Sequence, residues 1–219
     1  MRRTDDVVRF LKDTCARAGR PGAPDGLPAE YGVFALTYLW MTLEEIARIA
    51  DRYFEDPGWM SVFDVTFAEK YQAALDDESA APGPWQVAFE TAAKDQGRVI
   101  RDLLLGVNAH MSYDLVVTLV DDVLDDPAKR YADFVAVNRV LADAIDPVQR
   151  ALEARYGDWL FWADQIGGRV EEVLTLETFE HLRQRSWDDA LAIKEGRLTK
   201  EKLEERVTQK ARMIALLPF

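Results

Sequence analysis

An all-α protein, a single irregular bundle of about seven or eight helices, is what this sequence of 219 residues predicts. Three observations carry the expectation. Apolar residues recur at the 3.6-residue spacing of helices rather than alternating as in strands. Proline follows a capping residue at Asp56-Pro57, Asp126-Pro127 and Asp146-Pro147, the pattern of helix starts. Glycine and proline otherwise gather between the periodic stretches, where turns belong.

The elements follow in order. Thr4 caps a first helix running to about Arg17. Residues 19–26 (GRPGAPDG) form a loop by composition. Pro28 suits the first turn of a long helix ending near Phe54, and its middle, 33–41, is apolar nearly all round, so it is expected to be buried. Asp56-Pro57 restarts the chain, and a helix over about 60–75 carries Val62, Phe63, Phe67 and Tyr71 at helical spacing. Residues 77–84 are a second turn-rich loop. Pro84 then opens a helix that either continues through Gly97 and Gly106 to Leu124 or bends at one of those glycines. Starts at Asp126-Pro127 and Asp146-Pro147, stops at Gly157 and Gly167-Gly168, and helices over about 170–194 and 199–216, the latter capped by Thr199, complete the chain. No internal repeat and no linker divides it, so one helical domain over 1–219 is expected.

Composition narrows the partners. Hydrophobic residues make up 48% and charged residues 30%, a globular balance. The net charge is −12, from 27 Lys and Arg against 39 Asp and Glu. Nucleic acids and anionic membrane surfaces both require a basic footprint, so neither is an expected partner. The last helix is locally basic (Lys200, Lys202, Arg206, Lys210, Arg212), but glutamates interleave and the pattern reads as a solvated face. The single cysteine, Cys15, excludes an intramolecular disulfide and a cysteine-based metal cluster. The first residues lack the apolar core of a signal peptide, and no stretch approaches the ~18 apolar residues of a membrane span, so a cytoplasmic protein without membrane insertion is expected.

The stretch 103–117 is the most informative. At ~100° per residue, Leu103, Gly106, His110, Asp114, Val117 and Asp121 share one stripe of a helix, and Leu104, Asn108, Met111, Leu115 and Leu119 share the opposite one. Both stripes are mainly apolar, which makes the helix central and obliges its polar side chains to find partners. His110 and Asp114, four apart, can touch, and Gly106 leaves room beside the imidazole. Three readings stay open. Asp114 orients His110 as a general base or acid; or His110, Asp114, Glu177 and His181, two His–carboxylate pairs on two helices, bind zinc or iron; or the pair is a buried structural clasp. Asn108 points about 160° away and either binds a polar substrate group or ties two helices together. Asp64, within the apolar run 62–67, is placed to face the same cavity, as Asn138 is in its own run. Trp85, Trp159, Trp162 and Trp187 are candidates to line it. Phosphate-loop, dinucleotide and His-Glu-x-x-His motifs are all missing.

The run Leu104-Leu105-Gly106-Val107-Asn108-Ala109-His110-Met111-Ser112-Tyr113-Asp114-Leu115 resembles a bacterial helical family of unknown function whose hallmark reads L-L-G-x-N-A-H-x-x-Y-D-L. Stretches at 32–38, 67–71, 84–85 and 186–190 extend the resemblance over most of the chain. It implies a site at Asn108, His110, Tyr113 and Asp114, and no particular reaction.

Taken together, the expected protein is a small helical enzyme with an apolar pocket for a hydrophobic metabolite. His110 and Asp114 would be its catalytic pair, with Asn108, Tyr113, Asp64 and Trp187 binding substrate and no cofactor. Hydrolysis, cyclisation and isomerisation all fit. The alternatives are a non-catalytic domain that binds a lipid-like ligand or a partner chain, with the pair as a clasp, and a metal-dependent hydrolase. The charge of −12 predicts no useful affinity for DNA or RNA; a salt-dependent gel shift at micromolar protein would contradict this.

Overall fold

A helix lacking a polar face has to be surrounded, and the run from Val99 to Val123 is such a helix. Every residue from Ile100 to Met111 is buried. The computed structural model describes residues 1, 3–18, 26–28, 31–94, 98–157 and 176–217, the side chains of 176–178 excepted. Among these are eight helices and no strand: α1 (Thr4–Arg17), α2 (Tyr31–Ala50), α3 (Pro57–Asp76), α4 (Gly83–Lys94), α5 (Val99–Val123), α6 (Pro127–Tyr156), α7 (Leu176–Lys194) and α8 (Lys200–Ala215). The all-α expectation holds. Helix α5 is central and touches α2, α3, α4, α7 and α8, while α2 packs along α1 and α6.

Contrary to the sequence expectation, α5 is long and apolar enough, by length and composition, to cross a membrane. Most of it is buried inside the bundle, as befits a core helix. It is also not a plain α-helix. The turns His110–Asp114 and Leu119–Val123 are π-helical, with Leu115 N–H reaching back to His110 O and Leu124 N–H to Leu119 O. Each widened turn inserts one residue and rotates the following faces by about 100°. That rotation is why the stripe drawn through Asp114 fails beyond it: Val117 is only partly buried and Asp121 is exposed.

Helix starts follow their caps. Asp56 accepts the Trp59 N–H at 3.0 Å, Asp126 accepts Ala128 and Lys129 N–H at 3.1 and 3.3 Å, and Thr199 accepts the Lys202 N–H at 3.3 Å. Thr4 does not cap: Arg3 stands there without a side-chain bond, and Asp5 and Asp6 face the positive end of α1 instead. Helix α2 stops at Ala50, short of Phe54, where Arg52 enters the left-handed region at φ 56°. Val62 sits on the outer face of α3 and is 53% exposed.

Asp146-Pro147 does not begin a helix. Pro147 lies inside α6, whose buried stripe Val137, Leu141, Ala144, Val148 and Leu152 passes through it unbroken. Tertiary packing along α2 holds together a helix that proline alone would interrupt. The expected features at Gly97, Trp159, Trp162, Gly167-Gly168 and the start of the helix at 170 lie outside the described residues.

Gly106 remains helical within α5, and the space beside it is filled. A Cβ there would stand 2.6–2.7 Å from the Cγ, Cβ and Cδ2 atoms of Phe34. These atoms sit near the root of the side chain, so rotation gives little relief. Gly106→Ala is expected to destabilise the protein by about 1–3 kcal/mol in urea denaturation; an unchanged midpoint would mean that α2 and α5 separate freely.

Candidate functional site

The site begins with a carboxylate that has no exit to solvent. Asp114, 2% exposed in the first π-turn of α5, accepts on Oδ2 from Trp85 Nε1 of α4 at 2.8 Å. The same oxygen is 2.9 Å from Nδ1 of His110, also 2% exposed. With Asp114 ionised, its oxygens can only accept, so Nδ1 donates. The imidazole then keeps its lone pair on Nε2. That atom is buried without a hydrogen-bond partner among the described residues.

Around the imidazole is an aromatic cage. Phe67 stacks on it at 3.7 Å and 11°, Tyr38 tilts over it at 4.6 Å, and Phe34 meets it edge-on at 5.4 Å. Phe34 is thus what Gly106 makes room for. The ring lines a cavity of about 50 Å³ together with Tyr38, Thr42, Asp64, Phe67 and Arg183. This exceeds the roughly 10–15 Å³ that one water needs and falls far below the roughly 300–1,000 Å³ of a drug-sized pocket. Partly exposed Met41 and Glu45 lie among the lining residues, where the cavity nears the surface.

Three more polar atoms on this cavity are buried without partners among the described residues: Tyr38 OH, Thr42 Oγ1 and Asp64 Oδ2. Burial pushes the Asp64 carboxyl well above the usual carboxylate range, and the charge of Glu45 adds to that. Glu45 itself is pushed up to about 7 by burial, against the pull of Arg183. For His110, burial lowers the pKa and outweighs the raising effect of Asp114. Burial raises Asp114, while the bonds from His110 and Trp85 hold it down. The Tyr38 hydroxyl is raised by burial and by Asp64, Glu45 and Asp114. The cavity is therefore set with a neutral imidazole and a neutral carboxylic acid. Arg183 enters from α7, donates to Asn138 Oδ1 at 2.9 Å and Phe134 O at 2.6 Å, and lies 4.2 Å over the Phe134 ring.

Of the residues singled out in sequence, His110, Asp114 and Asp64 come together here. Asn108 does not: its Nδ2 donates to Val207 O of α8 at 3.1 Å, tying two helices together on the far side of α5. The Tyr113 hydroxyl turns outward to Glu204 at 3.5 Å. Trp187 packs against Phe134 and Tyr131 and is not part of the cavity wall. His181 is exposed on α7, and the Glu177 side chain lies outside the described residues. No group of three or more His, Cys, Asp or Glu among the described residues is arranged to hold a metal ion. His110, Asp114 and His181, the described members of the four-ligand zinc or iron set, form no such group.

Residues 5–217 match the family of unknown function DUF5995. The chain belongs to that family. No curated protein and no solved structure matches it significantly. In this member of DUF5995, sequence reasoning missed Tyr38, Thr42 and Glu45. Their spacing of four and three draws a polar line down the apolar α2, and that signal was available. Arg183 left none, because its stretch reads as an ordinary solvated turn.

The protonation states set a stability profile. Asp64 holds its proton in the folded state above the ~3.9 at which an unfolded chain releases it. Its contribution is therefore complete below that pH and is lost as pH rises toward the folded value. His110 works in the opposite sense, its contribution being present above ~6.5 and lost as pH falls through its depressed value. Asp64→Asn is expected to raise Tm at neutral pH and flatten the decline above pH ~4. A variant that melts below wild type at every pH would refute this assignment.

Proposed function

We propose that this chain is an acid–base catalyst for a small, largely apolar molecule, with His110 taking a proton and Asp64 giving one. The observation that carries the reading is the convergence of four partnerless buried polar atoms on one apolar cavity: His110 Nε2, Asp64 Oδ2, Tyr38 OH and Thr42 Oγ1. Each such atom costs roughly 1–3 kcal/mol if nothing meets it. A molecule with two or three polar atoms satisfies them together. A cavity with apolar walls and a net charge of −12 favour such a ligand over nucleic acid.

The chemistry follows from the protonation states. Nε2, its lone pair free, abstracts a proton from a C–H beside a carbonyl, or from water. Asp64 delivers its own proton to the developing oxyanion or to a neighbouring carbon. The imidazolium that forms is stabilised by Asp114, which Trp85 holds in place. Imidazolium and Asp64 carboxylate then return to neutral imidazole and acid by one proton transfer, directly or through a water. Isomerisation and cyclisation leave no atoms over, and hydrolysis adds one water. A second reading, in which Trp85, Asp114 and His110 only clasp α4 to α5, is favoured by the bond from Trp85.

Deuterium exchange at the carbons beside the carbonyl of small ketones, from acetone upward, measures this chemistry without a known substrate. Wild type is expected to accelerate exchange, and His110→Asn and Asp64→Asn to lose about 10²–10⁴-fold of that rate while remaining folded. A clasp predicts no acceleration by wild type and a lowered Tm for His110→Asn, and that outcome would end the catalytic reading.

A further inference from the structure

Two basic residues of α8 do more than cover a solvated face. Arg206 and Lys210 turn into a second cavity, of about 60 Å³, where α7 and α8 meet the π-turn of α5. Arg185 of α7 joins them, and Ser112, Ser186 and Asp189 are also part of its wall. Three cations thus face one carboxylate, and Asp189 is already bonded to Arg206. Arg185 and Lys210 form no ion pair among the described residues.

The chain as a whole has twelve more acids than bases, yet bases outnumber acids three to one in this cavity wall. Many cations elsewhere are paired with acids: Arg48 with Asp143, Lys70 with Asp122, Arg130 with Asp56 and Asp125, Lys200 with Asp121. One carboxylate does not balance three cations, and burial together with the charges of Arg185 and Arg206 lowers the Lys210 ammonium pKa. The hydroxyls divide. Ser186 spends its proton within the protein, near Met111 O at 2.6 Å and Leu182 O at 2.9 Å. The partly exposed Ser112 has no such commitment among the described residues, so its hydroxyl remains as a donor.

We propose that this cavity binds the dianion of a phosphate group, held by Arg185, Lys210 and Arg206 with Ser112 as the hydroxyl donor. A phosphate suits the site because it carries the charge that the cluster lacks and offers acceptor oxygens in several directions, whereas chloride offers neither. The site stands on the face of α5 away from the His110 cavity and does not depend on catalysis there. Free phosphate and the phosphate end of a larger molecule share this chemistry.

Thermal melts and calorimetric titration of the full chain, with inorganic phosphate, glycerol 3-phosphate and sodium chloride at matched ionic strength, test it. Phosphate is expected to raise Tm saturably where chloride does not. A tighter Kd for glycerol 3-phosphate than for phosphate would identify the monoester as the ligand, and the reverse would identify the free ion. Arg185→Gln with Lys210→Gln, or Lys210→Gln alone if the pair fails to fold, is expected to weaken phosphate binding about tenfold or more. Tm in chloride should stay level or rise as the repulsion is relieved. No saturable effect in wild type, or the same effect in wild type and variants, would overturn the proposal.

Discussion

Two donors, the indole of Trp85 and the imidazole of His110, meet on one oxygen of Asp114 in the middle of the most buried of the described helices. A carboxylate so placed is tolerable only while both bonds are made, because an uncompensated charge in a low-dielectric core is among the most costly things a fold can contain. The pair therefore dictates where α4 must lie against α5 and which nitrogen of His110 is left over. With Nδ1 committed, Nε2 is left without a partner among the described residues, on a ring that shares its cavity with Tyr38, Thr42 and Asp64.

The aromatic surroundings complete the constraint. Phe34, Tyr38 and Phe67 keep the imidazole planar to a stacking partner and neutral by desolvation, and Tyr71 and Trp85 extend the same cluster outward. The envelope is built on a close approach of α2 to α5 that only glycine at position 106 permits. The π-turn His110–Asp114 is its counterpart within α5 itself. Widened turns of this kind sacrifice regular hydrogen bonding for a local change of facing, and they recur at functional sites.

At the helix junctions among the described residues, charge follows a simple rule. Ionic groups at helix junctions are paired and satisfied: Asp133 accepts the N–H groups of Glu55 and Asp56 at 2.7 and 2.8 Å, and Arg130 bridges Asp56 and Asp125. Exposed pairs contribute little to stability individually, but here they fix the entry angle of α3 beside α6. The cavity around His110 and the cluster of Arg185, Arg206 and Lys210 depart from the rule in different ways, the first by burying polar atoms without partners, the second by setting three bases against one acid. Departures from local satisfaction are where ligands are sought.

How much was legible in sequence depends on the range of the physics. Apolar periodicity and capping chemistry are local, so the helical class, most starts, and the burial of most of 103–117 followed from the residues, as did the contact between His110 and Asp114 four positions apart. Membership in a family of unknown function was equally readable, since the motif around His110 is contiguous. Pro147 shows the limit: local chemistry at Asp146-Pro147 signals a start, and packing of α6 along α2 overrides it. The partner of Trp85, the turning of Asn108 toward α8, the π-turns, and the gathering of Asp64, Tyr38, Thr42 and Arg183 from three helices all depend on contacts between residues far apart in the chain. Those are settled by how helices pack, and a single sequence carries no record of which faces meet.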